Sequence, residues 1–304
     1  MQLANRKDVI ECYRVMLGRE PENATMADGH LRGRPLLRDL ISNFSRSTEF
    51  RAKYLRTNLA LDRAREPDYL ARSFNWPQRL QLYFGHYSYL LERFTDSAVH
   101  ELISCHENVY ARQVDRADYR VLLTATHERH EEGELQLQLQ LNCVALYVMG
   151  ITIVPGEAVG LPDRHGILIS RMQGVPRAFP EIRQATKDFG EIHPKAVLFA
   201  ALQGVMQALD ITAILGVAAT NQVAFDKSPP DALEKTYDEF FTAAGAERWG
   251  EQFFLLAADR ERKASTAGSR AHIKRAERKR RLKDEITASA ADQARNWMKR
   301  PTPA

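Results

Sequence analysis

The sequence predicts an α+β protein, a mixed and largely antiparallel sheet with flanking helices, entered through a small N-terminal helical module. Three observations carry that expectation. Residues 135–141 alternate without a break, Leu135, Leu137, Leu139 and Leu141 against Gln136, Gln138 and Gln140, and a side-chain period of two sets the leucines on one face of a strand. Residues 143–154 are apolar and rich in β-branched side chains, with Pro155-Gly156 as the stop. Downstream, a short apolar run at 166–174 precedes two helical patterns and a second β-branched run at 211–217. That order of elements asks for a parallel crossover at the end of an antiparallel sheet.

In chain order, residues 8–17 place Val9, Cys12, Tyr13, Met16 and Leu17 on one helical face, and Gly18 follows as a C-cap. Residues 36–44 repeat the pattern, and Ser47-Thr48-Glu49-Phe50 follows. Together these make a helical docking module over residues 1–58. A charged connector at 56–68 leads to an α/β domain over residues 69–264. Its first segment, 76–91, is aromatic and reads as helical at both ends, with Gly85-His86-Tyr87 between the apolar blocks. Residues 96–106 are a further helix, 110–125 one or two strands, and 127–133 a polar turn into the hairpin. Asn142-Cys143 is the hairpin turn. Phe179 to Phe189 reads as a helix with Pro180 and Glu181 in its first turn, and Pro194 opens the next. Residues 237–245 form a helix closed by Gly245, and 251–256 a strand. Residues 265–304 are a small-residue linker, one long charged helix and a tail expected to be disordered.

Composition narrows the class. Hydrophobic residues at 44% and charged residues at 27% are those of a globular protein. No apolar run approaches the roughly 20 residues a membrane-spanning helix needs. The N-terminus carries no signal-peptide pattern, and three scattered cysteines, Cys12, Cys105 and Cys143, do not build a disulfide framework. The expected location is cytoplasmic, with a peripheral position at the inner membrane as its extension. The net charge of +4 is localised. Residues 270–283 hold Arg270, Lys274, Arg275, Arg278, Lys279, Arg280, Arg281 and Lys283 against the single Glu277, a net of +7, so the rest of the chain sums to −3.

Two resemblances add to this reading. Residues 13–21, Tyr-Arg-Val-Met-Leu-Gly-Arg-Glu-Pro, closed by Ser47-Thr48-Glu49-Phe50, resemble a small helical domain of unknown function found in bacterial secreted, linker-like and glycosyltransferase proteins. Further landmarks run from about residue 76 to 286: His86-Tyr87 with Leu90, Glu132-Gly133-Glu134-Leu135, Met172-Gln173-Gly174, Thr186-Lys187 with Pro194-Lys195, Gly216-Val217, Phe253-Phe254-Leu255 and the basic run from Lys274 to Arg281. In that order they resemble the VirK/YbjX family of Gram-negative bacteria. His193 stands where that family usually has Arg, and residues 218–222 lack its Ser-Asn…His. The resemblance implies a link to virulence, surface-protein expression and antimicrobial-peptide resistance, with no settled biochemical activity.

The element order over 135–217 also resembles acyltransferases of the GNAT type, a likeness of fold that is an analogy for function. It implies an acyl-CoA or other activated acyl donor, an amine on a peptide, protein or envelope component as acceptor, and a splayed cleft beside Gln173-Gly174. Backbone N–H groups at a glycine turn opening a helix form an anion site. On that reading Gln173, Gly174, Arg177, Thr186, Lys187 and Lys195 hold the donor. Glu134 is the candidate base and His86 or Tyr87 the candidate acid. The alternative is structural: Glu134 caps the hairpin and His86-Tyr87 pack as a pair.

No metal is expected. His127 and His130 lack the spacing that puts two ligands one helical turn apart, and Cys105-His106 are neighbours that point apart. The basic run is either a solvated helix face or a site for anionic headgroups. Nucleic acid ranks lower, because no aromatic residue interleaves the charges. Two functions therefore stand: a transferase moving an acyl or aminoacyl group onto an amine, and a non-enzymatic accessory factor that binds an anionic membrane or a partner protein through the basic helix.

Overall fold

The structure, a computed structural model, describes residues 3–54, 69–126, 132–257 and 270–299. The connector at 56–68, the turn with His127 and His130, the linker at 265–269 and the tail at 300–304 lie outside the described residues.

One eight-stranded sheet organises the chain, in the order β1-β2-β3-β4-β5-β6-β8-β7. Its strands are β1 (Glu107–Val114), β2 (Ala117–Ala125), β3 (Leu135–Leu141), β4 (Val144–Pro155), β5 (His165–Gly174), β6 (Ala213–Val217), β7 (Glu247–Trp249) and β8 (Phe253–Ala257). Every pairing is antiparallel except β5 with β6, so the mixed sheet and its single parallel crossover are as the residue pattern predicts. Asn142 and Cys143 both have positive φ, 49° and 66°, the backbone a two-residue hairpin of this twist requires. Leu135, Leu137 and Leu139 are at most 3% exposed, each worth roughly 1.5–3 kcal/mol of gross burial before chain entropy is set against it.

The helices cover both faces. α1 (Arg6–Glu11), a π-helical turn (Cys12–Leu17), α2 (Ala24–His30), α3 (Leu37–Ser45) and α4 (Thr48–Tyr54) precede α5 (Trp76–Arg93) and α6 (Asp96–Ser104). After the hairpin come α7 (Phe179–Asp188), α8 (Pro194–Leu209), α9 (Pro230–Thr236), α10 (Asp238–Ala244) and α11 (Arg270–Arg295). On one face Leu137, Ile151, Ile169 and Ile214 share a core with Val197, Leu202 and Met206 of α8 and Ile286 and Ala290 of α11. On the other, Val154, Leu168 and Leu215 pack with Leu82 and Tyr83 of α5 and with Val9, Tyr13, Leu40 and Phe44 of the N-terminal helices. The N-terminal helices thus share a core with the sheet.

The segment that reads as helical at both ends is one continuous helix, α5, running through Gly85-His86-Tyr87. A Cβ at Gly85 would lie 2.3 Å from Pro155 Cγ, so this glycine lets the helix approach β4 closely and marks no turn. Strand β7 and helix α9 are further elements that the sequence reading passed over.

Candidate functional site

The proposed catalytic residues meet where α5 crosses the sheet. Glu134, 1% exposed, sits at the mouth of β3, where its N–H donates to Ile151 O and Thr152 Oγ1, both at 3.1 Å. Its carboxylate accepts the Tyr69 hydroxyl on Oε1 at 2.8 Å and the Tyr87 hydroxyl on Oε2 at 2.7 Å. His86, fully buried, accepts the Ile153 N–H on Nδ1 at 3.1 Å, which places the proton of a neutral ring on Nε2. The His86 and Tyr87 rings meet edge-on at 5.1 Å. Glu134, His86 and Tyr87 are therefore brought together, and Tyr69 joins them from 65 residues upstream of Glu134. The arrangement suits a tie: a buried carboxylate with a hydroxyl on each oxygen pins α5 and the segment before it to the sheet.

The proposed donor-binding residues are spread more widely. Gln173 is exposed near the end of β5, opposite Val148 of β4, and Arg177 is exposed on the turn that follows, with a φ of 69°. Gly174 faces Ile182 and Tyr147; a Cβ there would lie 3.1 Å from Ile182 Cδ1. Two turn amides are already used, Val175 N–H on Leu146 O and Ala178 N–H on Val175 O. Thr186 turns its hydroxyl back onto Ile182 O at 2.8 Å, and Lys187 is exposed at the far end of α7. Lys195 donates to Thr236 O at 2.9 Å and lies 4.7 Å from the Phe240 ring centroid. Burial holds its ammonium down to about 8, with Glu239 opposing.

β5 and β6 pair only from Gly166 to Ile169, opposite Ala213 to Gly216, while β5 runs on to Gly174 beside β4. Where the two strands part, the Met172 N–H donates to the Tyr237 hydroxyl at 3.1 Å. Phe241 lies so close to Gly216 that a Cβ there would meet its ring at 2.2 Å. Tyr237 and Phe241 are 5% and 0% exposed, and burial pushes the Tyr237 phenol well above its ordinary value. The place at which a splayed cleft is expected is occupied by these two rings.

The basic segment behaves differently along its length. From Ile286 onward α11 is docked: Ile286, Ala290, Ala291 and Ala294 are at most 1% exposed. A Cβ at Gly204 of α8 would lie 2.1 Å from Thr287 O. Before Ile286 no described residue of the helix is fully buried, and Lys274, Arg275, Arg278, Arg280 and Arg281 are exposed. This half lies over a groove of about 1140 Å³ whose other wall is Arg112 of β1 and the Phe189–Gly190 turn. Sequence reasoning found the charges of the helix but not Arg112, whose part in the groove depends on strand pairing. Among the described residues no group of acidic, histidine or cysteine side chains is placed to hold a metal ion, and no helix is long and apolar enough to cross a membrane.

These features define an α+β protein built on one mixed sheet, with a closed carboxylate–tyrosine cluster beneath α5 and an open basic groove beside α11. The chain belongs to the DUF535 family, the VirK/YbjX family, described as a protein of unknown function; the family model matches residues 30–292. None of the curated proteins and none of the solved structures matches it.

Proposed function

We propose that this protein is a non-enzymatic accessory factor that holds an anionic membrane surface or an anionic partner against the exposed half of α11, consistent with a peripheral position at the inner leaflet. One observation carries this reading. The segment with a net charge of +7 is the solvent-facing half of a helix whose other half is fixed in the core. Docking one half holds the charges in a fixed array, so little chain entropy is lost when an anionic surface meets them. The apolar stripe is thin: Ile273, Ala276 and Leu282 are each half-buried, and Leu282 packs on the core, which favours a surface contact over insertion into the bilayer.

Acyl transfer has weaker support. It requires a base free to take a proton and room for an activated acyl chain. Glu134 is buried with a tyrosine hydroxyl on each oxygen, and Tyr237 and Phe241 stand where the chain would enter.

Vesicle co-sedimentation at stepped ionic strength, run beside a thermal-shift screen with acyl-CoAs, tests the choice. Binding to anionic vesicles that weakens with salt, with no saturable shift from any thioester, is the expected result. Saturable stabilisation by a thioester that is lost in Arg177→Ala and Lys187→Ala would reverse the assignment in favour of a transferase.

A further inference from the structure

We infer that the groove between α11 and the Phe189–Gly190 turn is a binding site for a phosphate monoester, an inference that rests on the accessory reading and names the ligand chemistry of its basic half. The first observation is shape. The groove, about 1140 Å³, takes Arg112 from β1 and Lys274, Arg275, Arg278 and Arg281 from successive turns of α11. The spacing 274, 275, 278, 281 keeps these side chains on one side of the helix. Gly190 has a φ of 63°, and a side chain there would come within 4.0 Å of Arg278 Nε, so the glycine both makes the turn and leaves the space open.

The second observation is an unsatisfied donor. Arg112 lines the groove with its Nε buried and without a hydrogen-bond partner among the described residues, and its guanidinium lies 5.8 Å from the centroid of the Phe189 ring. A buried donor of this kind costs free energy until an acceptor reaches it. The lining also holds Glu277, Asp284 and Glu285 against six cationic side chains, a net of +3, and none of the three bonds that nitrogen. Glu285 accepts the Tyr110 hydroxyl at 2.9 Å, and Glu191, on the next residue of the turn, lies 3.5 Å from Arg275 at an exposed site.

Four guanidinium groups converging on one groove select the acceptor. Planar forks match phosphate oxygens two at a time. A monoester presents three terminal oxygens and close to two negative charges, where a diester presents two oxygens and one charge. The groove volume, about 1140 Å³, exceeds a bare phosphate and lies just above the range of small-molecule sites, about 300–1000 Å³. The ligand is therefore a phosphomonoester on a larger body, either a lipid headgroup or a soluble phosphorylated compound.

The test uses the full chain with vesicles of phosphatidic acid or phosphatidylglycerol at matched surface charge, and glycerol 3-phosphate in solution. The expected result is binding to the phosphatidic acid vesicles about tenfold tighter, the increment of one added charge-assisted hydrogen bond. Arg278→Ala and Arg112→Gln should each erase that preference. Arg280→Glu, which alters a charge outside the groove, should weaken both vesicle types together. Displacement by glycerol 3-phosphate identifies a soluble ligand; a preference that survives it identifies the headgroup. Equal binding to the two lipids by the wild type, or equal loss on both in Arg278→Ala, overturns the inference while leaving the accessory reading intact. If neither vesicle binds, the accessory reading falls. The inference is then decided by whether glycerol 3-phosphate raises the melting temperature of the wild type and not of Arg278→Ala.

Discussion

Gly204 gives the most direct test of how the basic half of α11 is held. The residue is fully buried in α8, and a Cβ built there would lie 2.1 Å from Thr287 O, 2.9 Å from Ala290 Cβ and 2.9 Å from Ala291 N. Two of those three atoms are backbone, so no side-chain rotation relieves the clash, and Gly204→Ala must push the helices apart. Overpacking of this kind costs about 1–3 kcal/mol, offset in part by the better helix propensity of alanine, up to about 1 kcal/mol. A net loss of about 1–2 kcal/mol lowers the melting temperature by about 2–8 °C for a chain of this size. The helix also acts as a lever. Seventeen residues separate Thr287 from Arg270, about 26 Å along the axis, so a tilt of about 5° moves the basic end by about 2 Å. Trp297, 4% exposed and 6.1 Å from the Phe94 ring, reports the docked end through its fluorescence. The expected outcome is a lower melting temperature, a red-shifted Trp297 signal read against the other two tryptophans, and weaker vesicle binding. A Gly204→Ala protein that melts within 1 °C of wild type would refute the close packing from which the fixed charge array is argued.

Three other outcomes follow from the same geometry. Glu134→Ala removes the acceptor of two tyrosine hydroxyls in a buried site, and by analogy with other broken buried networks should cost about 3–5 kcal/mol; chemical denaturation of the single variant beside Tyr69→Phe and Tyr87→Phe checks it, and unchanged stability would contradict the tie. Tyr237→Phe strands the buried Met172 N–H and should cost about 1–3 kcal/mol, measured the same way; a neutral result would mean that water reaches the gap between β5 and β6. Lys195 supplies a pH test. Its folded-state value near 8 lies below that of the unfolded chain, so the unfolded state holds the extra proton between about pH 8 and 10.4 and stability rises with pH across that window. Lys195→Met should therefore lose, above pH 8, part of whatever thermal advantage it has over wild type at pH 7; a difference in melting temperature that is flat from pH 7 to 10 would contradict the burial.

Much of the sheet was legible because its signals are local. The Leu/Gln alternation, the Asn142-Cys143 turn and the Pro155-Gly156 stop each act over a few residues, and the structure places the strands β3, β4 and β5 on them. What failed to read was glycine in tertiary use. Nothing local in the sequence tells that Gly85 admits Pro155 against α5 or that Gly216 admits Phe241 against β6. The site divides in the same way. The pairing of Glu134 with Tyr87 was foreseen as a constellation because both lie in marked blocks, but Tyr69 reaches Glu134 from a segment with no motif. That third member is what turns a plausible acid–base set into a closed tie, since a single hydroxyl would leave one carboxylate oxygen open to a substrate.

Charge followed the opposite course. The excess over residues 270–283 is the strongest compositional feature of the chain, but composition cannot say which side of a helix is free. The answer lies in Gly204, Ala290, Ala291 and Ala294, small residues whose spacing lets α11 sit directly on α8 from Ile286 onward. Small side chains at a helix contact shorten the distance between axes, and the contact ends where the long basic side chains begin. The same helix is thus built to be held at one end and to present charge at the other. Arg112, reaching up from β1 with a buried nitrogen that has no hydrogen-bond partner among the described residues, extends that charge beneath the helix and makes the open face a groove instead of a featureless basic surface.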